Sequence, residues 1–270
     1  LDVEACLIDV TDCTRLDELF KLHKPSRVFH AAAYKHVPMI EEHPLAAVHN
    51  NVIGTWLVAK AAGEHGAKRF ILVSTDKAVC PVNVMGATKR IAELVTLYLQ
   101  DLYPKTAFGA VRFGNVLGSN GSVIPLFKSQ LEAGEPLTVT HEDVTRFFMT
   151  IPEAVQLILQ ASLLPKIKGG IAMLEMGEPV PILELAKNLL RLSGQGARVG
   201  RDIVITELRP GEKLHEELAA PDEKAIPTGI EKVNLLDTSG ARLPESIAKA
   251  IEEERIDEVV AYLRAEIMVA

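Results

Sequence analysis

The sequence predicts an α/β fold of the Rossmann type, a doubly wound parallel sheet with a smaller C-terminal lobe for substrate. Three observations carry this reading. Strand-like and helix-like segments alternate through the first half, the rhythm of a parallel sheet with helices on both faces. An unbroken apolar run, Phe70 to Val73, reads as a strand buried on both faces. The polar run Ser74-Thr75-Asp76-Lys77 follows it at once, at the strand end where doubly wound sheets place their ligands.

Composition sets the limits. The chain has 270 residues, 48% hydrophobic and 24% charged, enough apolar material for one or two packed domains and too much for a disordered chain. Its 3 cysteines, Cys6, Cys13 and Cys80, form no Cys-x-x-Cys pair, which excludes a disulfide scaffold and fits a reducing compartment. With 29 basic and 36 acidic residues the net charge is −7, a poor match for a nucleic-acid binder. No apolar run approaches the ~18 residues of a membrane span.

The elements follow in order. Val3 to Asp9 reads as a strand. Thr14 to His23 has helical spacing of Leu16, Leu19 and Phe20, stopped by Pro25. Arg27 to Ala33 is a short buried strand and Pro44 to His65 a long helix ended by Gly66. Arg69 to Ser74 is a strand, Val84 to Leu102 a second long helix, and Ala107 to Phe113 a strand. The second half is less regular. Helices are expected over Val123 to Ala133, Pro152 to Leu164 and Ile182 to Leu192. Strands are expected over Leu137 to Thr140, Arg146 to Thr150, Ile171 to Met176 and Ile203 to Glu207. Leu208 to Lys213 is a polar turn leading into a helix, and Pro244 to Arg264 a charged, solvated helix. A dinucleotide fold opens with a strand, a Gly-x-Gly-x-x-Gly turn and a helix. This sequence has no such turn, so residues preceding Leu1 are expected to belong to the fold.

Two constellations carry chemistry. Asp76 and Lys77, an acid and a base side by side past a strand end, suit a reaction that removes one proton and delivers another. The same residues alone also fit a loop with a surface ion pair. Met85 and Lys89 stand at i and i+4 of a helix start, on one face. There a lysine can hold a cofactor ribose while residue i faces substrate, although a methionine carries no proton. Alone, the two are better read as a core methionine and a surface lysine. His30, His36, His43 and His49 lack metal-ligand spacing, and no metal is expected.

Taken together, six segments carry a resemblance. They are His30 to Pro38 (HAAAYKHVP), Asn51 to Thr55 (NVIGT), Ser74 to Ala78, Asn83 to Arg90 (NVMGATKR), Val111 to Ser122 (VRFGNVLGSNGS) and Leu208 to Leu218 (LRPGEKLHEEL). In this order the chain resembles the capsular and O-antigen polysaccharide biosynthesis proteins of the CapD/WbpM type, within the extended short-chain dehydrogenase/reductase superfamily. Their large members carry methionine where the superfamily has its active-site tyrosine, as Met85 does here.

The resemblance implies an NAD-dependent UDP-N-acetylhexosamine 4,6-dehydratase, with UDP-N-acetylglucosamine as substrate, making precursors for capsule, O-antigen or related glycans. It implies Asp76 as acid for the C6 hydroxyl, Lys77 as base at C5, Thr75 on the 4-hydroxyl and Lys89 on the nicotinamide ribose. Asp9, Val10, Ala31, Ala32, Ala33, Lys35, Asn51 and Ser74 match cofactor-side positions. Asn115, Ser122, Val123, Arg146, Arg209 and Glu212 match positions that meet the nucleotide sugar. Residues 1–120 are then an incomplete NAD-binding domain and 121–270 mainly the substrate lobe, with some segments returning to the first. A homo-oligomer is implied, in the cytoplasm, with the parent protein anchored in the bacterial inner membrane by a preceding region. Two other readings remain, a UDP-sugar epimerase and a catalytically silent fragment that only binds nucleotide sugar. Asp76-Lys77 favours dehydration over C4 epimerisation, which needs no acid for a C6 leaving group.

Overall fold

The computed structural model describes residues 3–268. Asp12 opens helix α1 (Cys13–His23), its carboxylate accepting from the Arg15 N–H at 3.0 Å. Strand β1 (Arg27–His30) follows, then helix α2 (Val37–Glu42). Helix α3 (Pro44–Val48) runs into a wide π-helical turn at His49–Ile53 and on into α4 (Gly54–Glu64). Strand β2 (Arg69–Val73) gives way to one 3₁₀ turn at Asp76–Ala78, then to the long helix α5 (Val84–Leu102) and strand β3 (Ala107–Arg112). The middle of the chain holds β4 (Asn115–Val116), α6 (Val123–Ala133), β5 (Leu137–Val139), β6 (Thr145–Arg146) and β7 (Phe148–Met149). After these come α7 (Ile151–Leu163), β8 (Gly170–Leu174), β9 (Val180–Pro181), α8 (Ile182–Leu192) and β10 (Ile203–Ile205). The chain closes with β11 (Ala225–Pro227), β12 (Val233–Leu236), α9 (Glu245–Glu252) and α10 (Ile256–Met268).

Six strands form the central sheet in the order β1-β2-β3-β8-β12-β11. The first four are parallel, and β12 and β11 are added antiparallel. Successive residues of a strand face opposite sides, and both sides here are apolar. Phe70, Leu72, Phe108, Ala110, Ile171 and Met173 pack with α1, α4, α5, α9 and α10 on one face. Ile71, Val111, Ala172 and Leu174 pack with α7 on the other. A third, smaller core gathers Phe127, Leu137, Val139, Val144, Ile182, Ala186, Leu190 and Ile203 from α6, β5, α8, β10 and the chain between them.

Several expectations need correction. Val3 to Asp9 forms no strand: it pairs with nothing among the described residues, and Leu7 is fully exposed at 101%. A strand needs a neighbour to take its N–H and C=O groups, and β1 bonds only to β2. Pro44 to His65 is not one uniform α-helix, because the π turn interrupts it. The polar turn at Leu208 to Lys213 leads into irregular chain rather than a helix. Arg146 to Thr150 is split between β6 and β7, which pair with different partners. Pro244 to Arg264 is two helices, and it is not merely solvated: Ala248, Ile251, Val259 and Leu263 enter the main core. The β11–β12 hairpin and α2 went unanticipated, because both are short and carry no strong periodicity.

Candidate active site

The site is built where β2 ends. Ser74 N–H still donates to Val111 O at 2.8 Å and Asp76 N–H to Phe113 O at 2.9 Å, so the chain keeps beside the extension of β3 while leaving the ladder. Thr75 opens the 3₁₀ turn, its hydroxyl accepting from the Lys77 N–H at 3.4 Å and donating to Asp76 Oδ1 at 2.9 Å. Asp76 is fully buried. Its Oδ1 also accepts from Lys77 Nζ at 3.0 Å, while its Oδ2 is buried without a hydrogen-bond partner. Gly114 leaves the space for Oδ2, since a Cβ there would sit 3.2 Å from it and 2.9 Å from Phe147 Cβ.

Lys77 Nζ meets three acceptors: Asp76 Oδ1 at 3.0 Å, Asn115 Oδ1 at 3.4 Å and Glu216 Oε1 at 3.5 Å. The first two are hydrogen bonds and the third an ion pair. Burial pushes the Lys77 amine down, but the charges of Asp76 and Glu216 outweigh it and the net direction is up. The resting group is therefore a held ammonium.

Helix α5 brings Met85 and Lys89 to the same place. Asn83 caps it, Oδ1 accepting from the Gly86 N–H at 2.7 Å, while Nδ2 donates to Gly211 O at 2.7 Å and ties the helix to the Arg209–Glu212 turn. A Cβ on Gly86 would overlap the Lys77 carbonyl oxygen, so the helix start and the loop after β2 touch backbone to backbone. Met85 and Lys89 are both buried, and Lys89 makes no hydrogen bond or ion pair among the described residues. Burial lowers its amine to about 8, with Glu93 opposing the shift.

The expected cofactor positions divide. Ala31, Ala32 and Ala33 continue past the end of β1, the first two exposed, and offer backbone that nothing covers. Asp9 makes a local turn, accepting from Thr11 N–H and Oγ1 at 2.9 and 2.7 Å, and Val10 packs on Gly54 at the start of α4. Lys35 is exposed. Asn51 is buried in the π turn, and its amide is committed within the chain. Oδ1 accepts from Tyr34 N–H at 2.7 Å and from Asn50 Nδ2 at 2.9 Å. Nδ2 donates to Tyr34 O and to Thr88 Oγ1, both at 3.0 Å. With its hydrogen-bonding capacity used within the chain, Asn51 ties the Tyr34 loop to α5 through Thr88. The Ser74 hydroxyl likewise turns inward, donating to Glu93 Oε1 at 2.7 Å. Glu93 is paired with buried Arg112 at 2.8 Å, and Arg112 with Glu223 at 2.6 Å.

On the substrate side, Asn115 reaches Lys77, and Ser122 opens α6 with its Oγ buried and unpartnered and Val123 as the first helical residue. Arg146 donates to Glu212 Oε1 at 2.9 Å and approaches Glu216 Oε1 at 3.8 Å. Arg209 is exposed, and only its backbone meets Glu212: its N–H donates to the carboxylate at 3.3 Å and its carbonyl accepts from the Glu212 N–H at 2.9 Å. Glu216 was not anticipated. It lies four residues beyond Glu212 in an irregular segment, and its only sequence signal was the acidic pair Glu216-Glu217.

Comparison with known proteins gives the family. The family described as "Polysaccharide biosynthesis protein" matches residues 1–237. The chain belongs to that family. Within the polysaccharide biosynthesis protein family, it is 55% identical over 218 residues to the capsular polysaccharide biosynthesis protein CapD of Staphylococcus aureus. That match covers 80% of this chain and 36% of the relative, so the chain spans about a third of that protein's length. The probable polysaccharide biosynthesis protein EpsC of Bacillus subtilis is 54% identical over 217 residues, with coverage of 80% and 36%. Among solved structures, Pen from Bacillus thuringiensis superposes with a TM-score of 0.78 at 32% identity, covering 88% of this chain and 73% of that one. DesIV of Streptomyces venezuelae, a dTDP-glucose 4,6-dehydratase, superposes with a TM-score of 0.69 at 22% identity, covering 78% and 69%, and shares the Rossmann-type fold. No described helix of this family member is long and apolar enough to cross a membrane.

Proposed function

We propose that this chain carries the active site of an NAD-dependent UDP-N-acetylhexosamine 4,6-dehydratase, with UDP-N-acetylglucosamine as substrate, in the synthesis of cell-surface polysaccharide. The observation that carries the reading is the Asp76–Lys77 pair at a sheet's carboxyl edge, with Asp76 Oδ2 buried and free. Elimination of water across C5 and C6 needs a proton removed from one carbon and one delivered to the neighbouring oxygen. From the resting ion pair a proton first passes from Lys77 Nζ to Asp76 along their 3.0 Å contact, leaving a neutral amine and a protonated acid. Lys77 then takes the C5 proton and Asp76 protonates the departing C6 hydroxyl, which returns the pair to its resting ammonium and carboxylate. Thr75 holds the sugar 4-hydroxyl beside them.

The residues present fit a dinucleotide. Lys89, a residue only 5% exposed, makes no hydrogen bond or ion pair among the described residues, and a nicotinamide ribose would supply a partner for its amine. Ala31, Ala32 and Ala33 leave backbone open to close approach. Bound NAD supplies the hydride acceptor for C4 and the donor for C6. Met85 packs beside this position and takes no proton. Arg146, Arg209 and Glu212, with Asn115, Ser122 and the N–H of Val123, form the side that receives the UDP, an arrangement suited to phosphate. Anchoring of the whole protein in the inner membrane, and a homo-oligomer, belong to the same reading. The relative named uncharacterized membrane protein MJ1061 of Methanocaldococcus jannaschii, 48% identical over 225 residues, supports the former.

Proteins named UDP-glucose 4-epimerase in Rickettsia are 34–36% identical over 219 residues, which keeps epimerisation as the competing outcome. Proton NMR of UDP-N-acetylglucosamine with this chain and NAD in D₂O separates the two. Dehydration gives a new C6 methyl signal with deuterium at C5. Epimerisation gives a changed C4 proton and no methyl signal. Under dehydration, Asp76→Asn should lose on the order of 100-fold or more in turnover. Full turnover in that variant would remove Asp76 from the acid role.

A further inference from the structure

Glu216 lies among residues that the dehydration reading uses, yet it has no part in it. It is buried in the irregular segment after the Arg209–Glu212 turn. Its Oε1 stands 3.5 Å from Lys77 Nζ and 3.8 Å from Arg146 Nε. Its Oε2 is buried with no hydrogen-bond partner, which a structural carboxylate rarely tolerates. Arg146 is held on its other side by Glu212 at 2.9 Å and by the carbonyls of Thr145 and Leu214 at 2.7 and 3.2 Å. The charged groups facing Lys77 are thus Asp76 and Glu216 on the acidic side and Arg146 on the basic side.

We propose that Glu216 is the positioning residue of the acid–base pair, gripping Lys77 Nζ opposite Asp76 and fixing it to the arginine read here as the UDP anchor. Two carboxylates and Asn115 hold the amine at one point beside the sugar. Because Glu216 Oε1 is shared with Arg146, a shift of that arginine toward phosphate is felt at the base. Lys77 as a base rests on the dehydration reading, but its grip by Glu216 does not, and the two fail separately.

The test is competitive labelling of the full-length chain with acetic anhydride, read at Lys77 by peptide mass mapping across a pH series. Only the neutral amine reacts, so the profile follows loss of the Lys77 proton. In Glu216→Gln, which keeps the shape and removes the charge, the profile should move down by about one pH unit or more, raising Lys77 labelling about tenfold at fixed pH. Glu216→Asp should stay near wild type. A Glu216→Gln profile that keeps its midpoint overturns the proposal, even when labelling rises equally on both sides of that midpoint, since that marks a loosened loop. Turnover is then read on the same variants. A wild-type chain that makes no methyl product removes the dehydration reading, while the labelling result still decides the Glu216–Lys77 contact. With turnover present, Glu216→Gln should lower kcat with KM changed less than about threefold.

Discussion

Lys89 is a buried residue whose amine makes no hydrogen bond or ion pair among the described residues. An unfolded lysine keeps its proton to about 10.5, whereas here the amine releases it at about 8. Between those values the unfolded chain binds more protons, so stability rises with pH across that window, and below it the full penalty applies. The shift corresponds to roughly 3 kcal/mol of destabilisation at pH 7. Lys89→Met should therefore unfold at higher denaturant at pH 7, with the difference shrinking toward pH 10, while affinity for NAD falls. An unchanged midpoint at pH 7 would mean that the amine is already neutral or paired in solution. At this scale the sequence shows some residues well and hides others. Asp76 and Lys77 are legible because they adjoin each other at the end of an apolar run. Glu216 and Glu223 are not, because only folding brings their irregular segments to Lys77 and Arg112. Asn51 reads as a ligand contact, but its amide is spent on its neighbours, and only hydrogen-bond accounting reveals that.

Helix α5 and the loop after β2 act as one element. Gly86 lets the first turn of the helix rest on the Lys77 carbonyl, and Asn83 pins the same turn to Gly211. A methyl group at Gly86 has backbone in its way, not the tip of a flexible side chain. Gly86→Ala should cost about 1–3 kcal/mol in stability. Displacing Lys77 by even a fraction of an ångström should lower kcat on the order of 100-fold. Urea denaturation and steady-state kinetics on the same sample check both, and an active variant would show that the loop can yield. Elements with strong periodicity or buried apolar runs, such as α5 and β2, were legible within a residue or so. Those made of two or three residues were not: β6 and β7 pair with β9 and β4, far along the chain, and β11 is too short to show a periodicity. Pro244 to Arg264 misled because charge on one face of a helix says nothing of Val259 and Leu263 on the other.

Across the whole molecule, the sheet ends at β1, which bonds on one side only, whereas β2 and β3 are paired on both. Hydrogen exchange should reflect this. Amides of β2 and β3 should exchange only on global unfolding, while the β1 amides that point away from β2 exchange orders of magnitude faster. Equal protection in β1 would show that something beyond the described residues covers that edge in solution. The parallel order of β1, β2, β3 and β8 follows from the alternating pattern of the sequence, but the antiparallel β12 and β11 do not.

The π turn at His49–Ile53 works as a phase shift. Each residue of an α-helix advances the chain by about 100° around its axis, and one extra residue in a wide turn resets which side faces inward. The α3 part leans on α10, while α4 beyond the turn leans on α1 and buries Trp56. Shortening the turn by one residue would leave the helix continuous but rotate all that follows against all that precedes. Trp56 would swing out of the core and Asn51 away from Tyr34. At this point the chain is tuned to its residue count as much as to its residue types, and the Tyr34 loop keeps its place only while that count holds.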